Sequence, residues 1–502
     1  MKFSYPTTRF VFLTLLWIKA VYPASSGIAD TDFYWHLTYG EWIIDNGRLP
    51  AGDIFSWTMA GEPYQLTQWL GEAVMGGAYR IGGLGGTQFI SVLLAGITLW
   101  FAWKAAERYV HPAIALGIAV LCNLVQIVMP MRPQLFTFAL LAVGSWLVTG
   151  WLCTEKRRYL IGYPIVMALW VNLHGGFVVG LVLIGLAAIG LTLECFEKGA
   201  IRSDKSLAFV WGIVVASLAA TLVNPYGYKA ITTVLMIGGL RSASVISEWA
   251  PVNITTELGW FYLMNLVPFI ALIAITGVKP RLTIGLIAGF FLVFGILANR
   301  QVALCAAVMA PMTASLLART PQYLKMVSKT TDPSRPILYG LLSAGLIAAF
   351  PAIAAMGNER WKDSMNLQYP IQATDFLERN GLTRRVMTDT LEASYLIHRR
   401  VPVFIDGRMD LYRDRFFFEW YLASRAAPGW EKLLAKHHPD ALLLRHDMAL
   451  RQATLASGQW KQVYEDARYS VLVPIHSKLA AVSPSTPDYL DDEGCLLRPY
   501  MP

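Results

Sequence analysis

Charge is scarce in this chain. Of its 502 residues only 15% are Asp, Glu, Lys or Arg, against 55% that are hydrophobic, whereas a soluble domain carries roughly 25% charged residues. That shortage excludes a water-soluble globule of this size. Cysteine is scarcer still, with five residues in all. Cys122, Cys153, Cys195 and Cys305 lie in or near apolar segments, and Cys495 stands alone in the polar C-terminal part, so no structural disulfide is available there. A nucleotide-binding signature is missing too. The Gly-rich Ile81-Gly82-Gly83-Leu84-Gly85-Gly86 has neither a P-loop lysine nor a strand before it, and reads as a flexible lead into an apolar helix.

What fills the chain is a succession of long apolar segments. Stretches able to cross roughly 30 Å of hydrocarbon, at about 20 residues each, lie near 9–25, 84–106, 111–129, 134–152, 159–173, 175–196, 206–223, 258–277, 282–298, 301–318 and 336–356. They define an α-helical polytopic membrane protein of about eleven transmembrane helices over residues 1–356. A long loop at 26–83 interrupts the series, and Thr67 to Arg80 within it reads as an interfacial helix.

Lys and Arg are retained on the cytoplasmic side, and here they are unevenly divided. With the N-terminus inside, the cytoplasmic loops and span ends hold sixteen: Lys2, Arg9, Lys104, Arg108, Lys156, Arg157, Arg158, Lys198, Arg202, Lys205, Lys279, Arg281, Arg319, Lys325, Lys329 and Arg335. The alternate loops hold six: Arg48, Arg80, Arg132, Lys229, Arg241 and Arg300. The net charge of +8 therefore points to membrane topology and lipid contact rather than to nucleic acid. The first segment also carries signal-peptide features, with Lys2, Arg9 and Ala24-Ser25-Ser26. Either reading puts the loop after it outside.

An odd number of crossings places residues 357–502 outside as well, and their composition is that of a soluble α/β domain. Arg384–Thr390, Val401–Asp406, Ala441–Arg445 and Ser470–Pro474 read as strands, and Ile371–Asn380 and Phe417–His437 as helices. The strand Pro402–Ile405 runs into Asp406-Gly407-Arg408, gathering charge at a strand's C-terminal end, where α/β folds place ligand groups. An Asp–Arg pair that merely pins the loop is the equal alternative.

Polar residues of the membrane half collect at one face. Asp30, Asp32 and His36 open the long loop. Arg132 follows the third span, Asn172 and His174 stand before Gly175-Gly176, Asn224-Pro225-Tyr226-Gly227 ends another span, Glu248-Trp249 lies in a loop, and Asn299-Arg300 forms a short turn. Paired carboxylates at such a place can take a proton from an attacking hydroxyl, coordinate a divalent cation, or stay solvated. Singly, the arginines can snorkel to lipid phosphates and the Asn and Gly pairs can break helices. Together they supply carboxylates, guanidiniums, an imidazole and amides on one face, an inventory for binding phosphate and activating a hydroxyl.

These stretches, with Asp30–His36 in a long first external loop, Arg132-Pro133, Asn172–Gly176, Asn224–Gly227, Glu248-Trp249 and Phe404–Arg408, resemble the C-type membrane glycosyltransferase superfamily, in a bacterial branch described only as glycosyltransferase-like. The resemblance implies a bacterial inner-membrane enzyme that moves a sugar from a polyprenyl-phosphate-linked donor to a glycan or lipid acceptor outside the cytoplasm, with inversion. It implies Asp30 or Asp32 as general base and Arg132, His174 and Arg300 as partners of the departing phosphate. His36, Asn172, Asn224, Glu248, Asp406 and Arg408 complete the expected substrate-binding set. No cofactor is required on this reading, and a divalent cation on Asp30 or Asp32 with Glu248 is admitted. The tail from Val386-Met387-Thr388-Asp389-Thr390 resembles the oligosaccharyltransferase catalytic subunit but lacks its Trp-Trp-Asp, which argues against protein N-glycosylation. The alternatives are a lipid or polysaccharide transporter, for which the expected internal repeats are not visible, and a noncatalytic subunit of an envelope polysaccharide machine.

Overall fold

The computed structural model describes residues 10–19, 30–197, 205–327 and 369–481. The span expected at 336–356 and the boundary expected near 357 lie outside the described residues. The helices of the first part are α1 (Phe10–Lys19), α2 (Phe33–Asn46), α3 (Trp69–Ala106), α4 (Pro112–Asn123), α5 (Val125–Val128), α6 (Gln134–Thr154), α7 (Arg158–Ile161), α8 (Tyr163–Leu173), α9 (Phe177–Glu197), α10 (Lys205–Ala220), α11 (Lys229–Gly238), α12 (Glu257–Thr276), α13 (Leu282–Leu297), α14 (Val302–Leu317) and α15 (Pro321–Val327). Five of these helices, α3, α6, α9, α12 and α14 with the turn ahead of it, are long and apolar enough to cross a membrane. The spans expected at 9–25, 111–129, 206–223 and 282–298 appear as shorter apolar helices, making this a multi-pass membrane protein.

Two features of the helical part position the site. The first is α14, whose residues from Val302 to Leu316 are nearly all buried. Its run of alanines lets α3, α4, α6, α12 and α13 pack around it. The second is a bend in α3. Gly82 and Gly83 leave helical geometry there, and Gly83 takes φ 59° and ψ −145°, a conformation open to glycine alone among common residues. The bend separates an apolar span from the expected interfacial helix. That first half crosses α2 backbone to backbone: a Cβ at Gly40 would stand 2.0 Å from the Glu72 carbonyl oxygen, and one at Gly76 2.6 Å from the Glu41 nitrogen.

The C-terminal part is a small α/β unit with α16 (Ile371–Arg379), β1 (Val386–Met387), α17 (Thr390–His398), α18 (Met409–Ser424), α19 (Trp430–His437), β2 (Ala441–Arg445), α20 (Ala449–Ala456), β3 (Trp460–Glu465) and β4 (Tyr469–Pro474). The sheet order is β1-β2-β4-β3, parallel between β1 and β2 and antiparallel elsewhere. The strand expected at 401–406 is not formed. Val403 makes only isolated bridges, to Val386 and to Ser56 of the long loop, since Pro402 has no N–H to extend a ladder. The single helix expected over 417–437 is two, parted where Ala426 (φ 55°) and Gly429 (φ 98°) turn left-handed. Strand β3 and helices α17 and α20 were not expected.

The long loop and α2 weld the two parts. Tyr34 meets Tyr369, Tyr395 and His398 at ring separations of 4.9, 5.3 and 4.8 Å. The Trp35 backbone N–H donates to Ser394 Oγ at 3.2 Å. Aromatic pairs of this kind contribute about 0.5–1.5 kcal/mol each beyond their buried area.

Candidate active site

Asp30 is a fully shielded carboxylate at the junction, with no exposed surface. One oxygen accepts the backbone N–H groups of Asp32 (2.7 Å) and Phe33 (3.1 Å), the opening of α2, and the other accepts Arg132 Nε. Tyr369 reaches across from the C-terminal part to donate its hydroxyl to the Asp30 carbonyl at 2.6 Å. Burial, opposed by Arg132, pushes the Asp30 carboxyl up to about 6.

Asp32 stands beside it but is less enclosed, with a fifth of its side chain exposed. Trp35 Nε1 donates to one oxygen at 3.0 Å, and Arg132 Nη1 lies 3.2 Å from the other. Gly407 packs directly against this carboxylate: a Cβ there would stand 2.2 Å from Asp32 Oδ1. A side chain there could fit only by displacing that carboxylate, and the close approach brings the chain after Val403 onto the site.

Arg132 is the hub. Besides Asp30 and Asp32 it holds Glu248, at 2.8 Å from Nη1, and its Nη2 points to Thr31 Oγ1 at 3.4 Å. Burial works against its charge, but the three carboxylates outweigh it and the guanidinium pKa lies well above its usual value. Glu248 comes from the short turn Ser247–Trp249. Asn299 fixes that turn by donating its side-chain amide to the Ser247 carbonyl (2.8 Å) and its backbone N–H to that of Ala250 (2.9 Å).

Arg300 differs in kind. Its guanidinium lies 4.5 Å from the ring centre of Trp249, feels the fields of Glu248, Arg132 and Asp32, and has no hydrogen bond or ion pair among the described residues. Arginine stacked on an aromatic face keeps its in-plane N–H donors available.

His174 sits at the break between α8 and α9. Its Nδ1 accepts the Gly176 backbone N–H at 3.0 Å and faces the Thr137 hydroxyl at 2.8 Å. Trp170 Nε1 in turn donates to that hydroxyl oxygen at 2.9 Å. With Nδ1 accepting, the neutral ring carries its proton on Nε2. Burial, then Arg300 and Arg132, lower its pKa to about 3, so the ring is a neutral donor at ordinary pH. His36 is also neutral, its pKa held well below normal by burial, Arg132 and His174. Its Nδ1 pairs with buried Glu72 at 2.8 Å.

The remaining expected residues lie elsewhere or are fully engaged. Asn172 donates to the carbonyls of Ala168 and Val223, both at 2.8 Å, and accepts Trp69 Nε1 at 2.9 Å. Asn224 closes its own turn through Thr221, Tyr226 and Gly227. Arg408 is wholly buried in a separate knot, forked onto Asp406 at 2.8 and 2.6 Å, with Asp53 at 2.5 Å and the Tyr39 hydroxyl at 2.6 Å. Glu72, Thr137, Tyr369 and Gly407 were missed. The i, i+4 spacing of Trp170 and His174 was a readable signal, whereas the contacts of Tyr369 and Gly407 are made across more than 300 residues.

No protein-family model and no curated protein sequence matches the chain. Solved structures do. The crystal structure of ArnT from Cupriavidus metallidurans bound to undecaprenyl phosphate is 13% identical, covering 94% of this chain and 99% of that one at a TM-score of 0.53. The apo oligosaccharyltransferase of Archaeoglobus fulgidus is 12% identical, covering 87% of this chain and 69% of that one at a TM-score of 0.52. At these identities the likeness is one of fold, and it spans the apolar bundle and the C-terminal α/β unit together.

Proposed function

We propose that the protein is a membrane glycosyltransferase that moves a sugar from a polyprenyl-phosphate-linked donor to a glycan or lipid acceptor on the extracytoplasmic side of a bacterial inner membrane. The observation that carries this reading is Arg300, a guanidinium without a carboxylate partner among the described residues, standing next to three carboxylates gathered on a second guanidinium. Three negative groups against two positive ones leave one carboxylate charge unmatched. A displacement at an anomeric carbon needs such a pair: a free base for the acceptor proton and a free cation for the departing phosphate.

Asp32 is the better base. It is reached by solvent, whereas both oxygens of Asp30 are occupied and enclosed. The acceptor oxygen bonds to the anomeric carbon and its proton passes to Asp32. The bond from that carbon to the phosphate oxygen breaks with its electron pair, and Arg300 with the Nε2–H of His174 receives the new phosphate charge. The likeness to ArnT, crystallised with undecaprenyl phosphate, supports a lipid-phosphate donor, and the sixteen-to-six division of basic residues supports the orientation.

The test is release of free polyprenyl phosphate from a panel of lipid-linked sugars by purified wild type, Asp32→Asn and Arg300→Ala, each checked for folding. Turnover by wild type that is lost in both variants supports the reading. Absence of turnover with every donor, despite lipid binding, favours a transporter or a noncatalytic assembly subunit.

A further inference from the structure

Asp30, Asp32 and Glu248 come from two segments more than 200 residues apart and converge on one point. Such a convergence of hard anionic oxygens is what a divalent cation demands, since carboxylates drawn together without a cation between them repel one another. Here the point of convergence is filled by side-chain nitrogen. Arg132 Nε takes Asp30, and Nη1 is shared by Asp32 at 3.2 Å and Glu248 at 2.8 Å. An ion at about 2.0–2.6 Å from those same oxygens would have to overlap the guanidinium or lie against its positive charge. The residues present therefore do not fit a divalent ion, and among the described residues no group of His, Cys, Asp and Glu is arranged to hold one.

We propose that Arg132 is a built-in cation occupying the place of a divalent metal ion: it assembles and charge-balances the three carboxylates, and removing its side chain converts them into a metal site. The geometry agrees. Arg132 Nε donates to Asp30 and Nη2 to Thr31 Oγ1, while Nη1 lies between the carboxylates of Asp32 and Glu248. Little is left for a phosphate. A metal ion in this place would offer open coordination positions to a phosphate oxygen, whereas this guanidinium is held by three carboxylates and Thr31. Among the described residues, the cation of the site without a carboxylate partner is Arg300. Arg132 is thus a positioning residue, acting on the reaction through the carboxylates it holds.

The experiment is a Mn2+ titration followed by electron paramagnetic resonance on purified full-length protein, wild type against Arg132→Ala. The expected result is a single bound Mn2+ per chain in Arg132→Ala, on the order of 100-fold tighter than any binding by wild type, and lost in Arg132→Ala with Asp32→Asn. Methylguanidinium should compete with Mn2+ in the variant. Absence of Mn2+ binding by a folded Arg132→Ala overturns the proposal. Wild type supplies a second measurement that does not depend on the variant folding: Asp32-dependent Mn2+ binding by wild type, or a loss of thermal stability on treatment with chelator, also overturns it. The inference rests on the proposed function only for its bearing on catalysis. Mn2+ binding is read without any sugar donor, so failure of the glycosyl-transfer assay and failure of this proposal are separate outcomes.

Discussion

Two arginines of this protein sit among carboxylates, and they are built to opposite ends. Arg408 is sealed: it and its partners Asp53 and Asp406 have no exposed side-chain surface, and Tyr39 and Tyr412 complete the hydrogen bonds. Arg132 is gathered just as firmly, but its partners grow steadily more open, from Asp30 with no exposure to Asp32 at 20% and Glu248 at 40%. The sealed knot has no face left for a ligand. Its partners show what it does: Asp53 and Tyr39 belong to the N-terminal part and Asp406 to the C-terminal part, so the cluster rivets the two together. The open one carries a graded exposure along which a substrate can approach, and beside it a second arginine that has no carboxylate partner among the described residues.

The largest effect should come from breaking the sealed knot. Arg408→Met leaves two buried carboxylates without a cation, and severing a buried ion pair costs about 3–5 kcal/mol. The variant should lose most of its thermal stability and its yield in detergent. Arg132→Met should fall less, because Asp32 and Glu248 can turn to water. An equal loss in the two variants, read by thermal unfolding, would break the distinction. Next in size is catalysis. Arg300→Ala should lower turnover by about 100-fold or more with little change in unfolding temperature, since among the described residues Arg300 leaves no carboxylate unpaired and gives up only its stack on Trp249.

A pH experiment sharpens the comparison further. Asp30 is pushed up to about 6 from an unfolded value near 3.9, so between those values the folded state binds more protons than the unfolded one. Its contribution to stability is therefore full below about pH 4 and declines as pH rises through about 6. The difference in unfolding free energy between wild type and Asp30→Asn should change with that sign across that window. A difference independent of pH would mean that Arg132 holds Asp30 ionised throughout.

Much of the architecture was legible because hydrocarbon imposes a length and an orientation on any sequence that crosses it. Among the described residues the apolar runs are helices at nearly the expected places, and the one-sided polar set of Asp30, Asp32, Arg132, His174, Glu248 and Arg300 does come together. What could not be read was which charge meets which. Asp406-Gly407-Arg408 fitted a ligand loop and a pinned loop equally by local pattern; Asp406 and Arg408 pair with each other and turn inward, Arg408 to Asp53 and Tyr39 and Asp406 to Tyr412, and the glycine between them is the residue that reaches Asp32. Burial decides that outcome, and burial is set by a partner some 350 residues away. The strand at 401–406 failed for a related reason: it finds only single bridges, to Val386 and to Ser56.

The smallest expected effect concerns the two asparagines. Asn172 uses both ends of its amide on Trp69, Ala168 and Val223, and Asn224 uses both on its own turn. Neither amide has an N–H donor to spare for a sugar without giving up a structural bond. Hydrogen bonds within membrane proteins are worth about 0.6 kcal/mol on average and seldom much above 1.5. Asn224→Ala and Asn172→Ala should therefore each lower the unfolding temperature slightly while leaving the Michaelis constant for the lipid donor where it is in wild type. A several-fold rise in that constant with unchanged stability would return the amide to the substrate. The reach of the open cluster would then extend from Arg132 past His174 to the end of α8, a wider site than the ion pairs alone define.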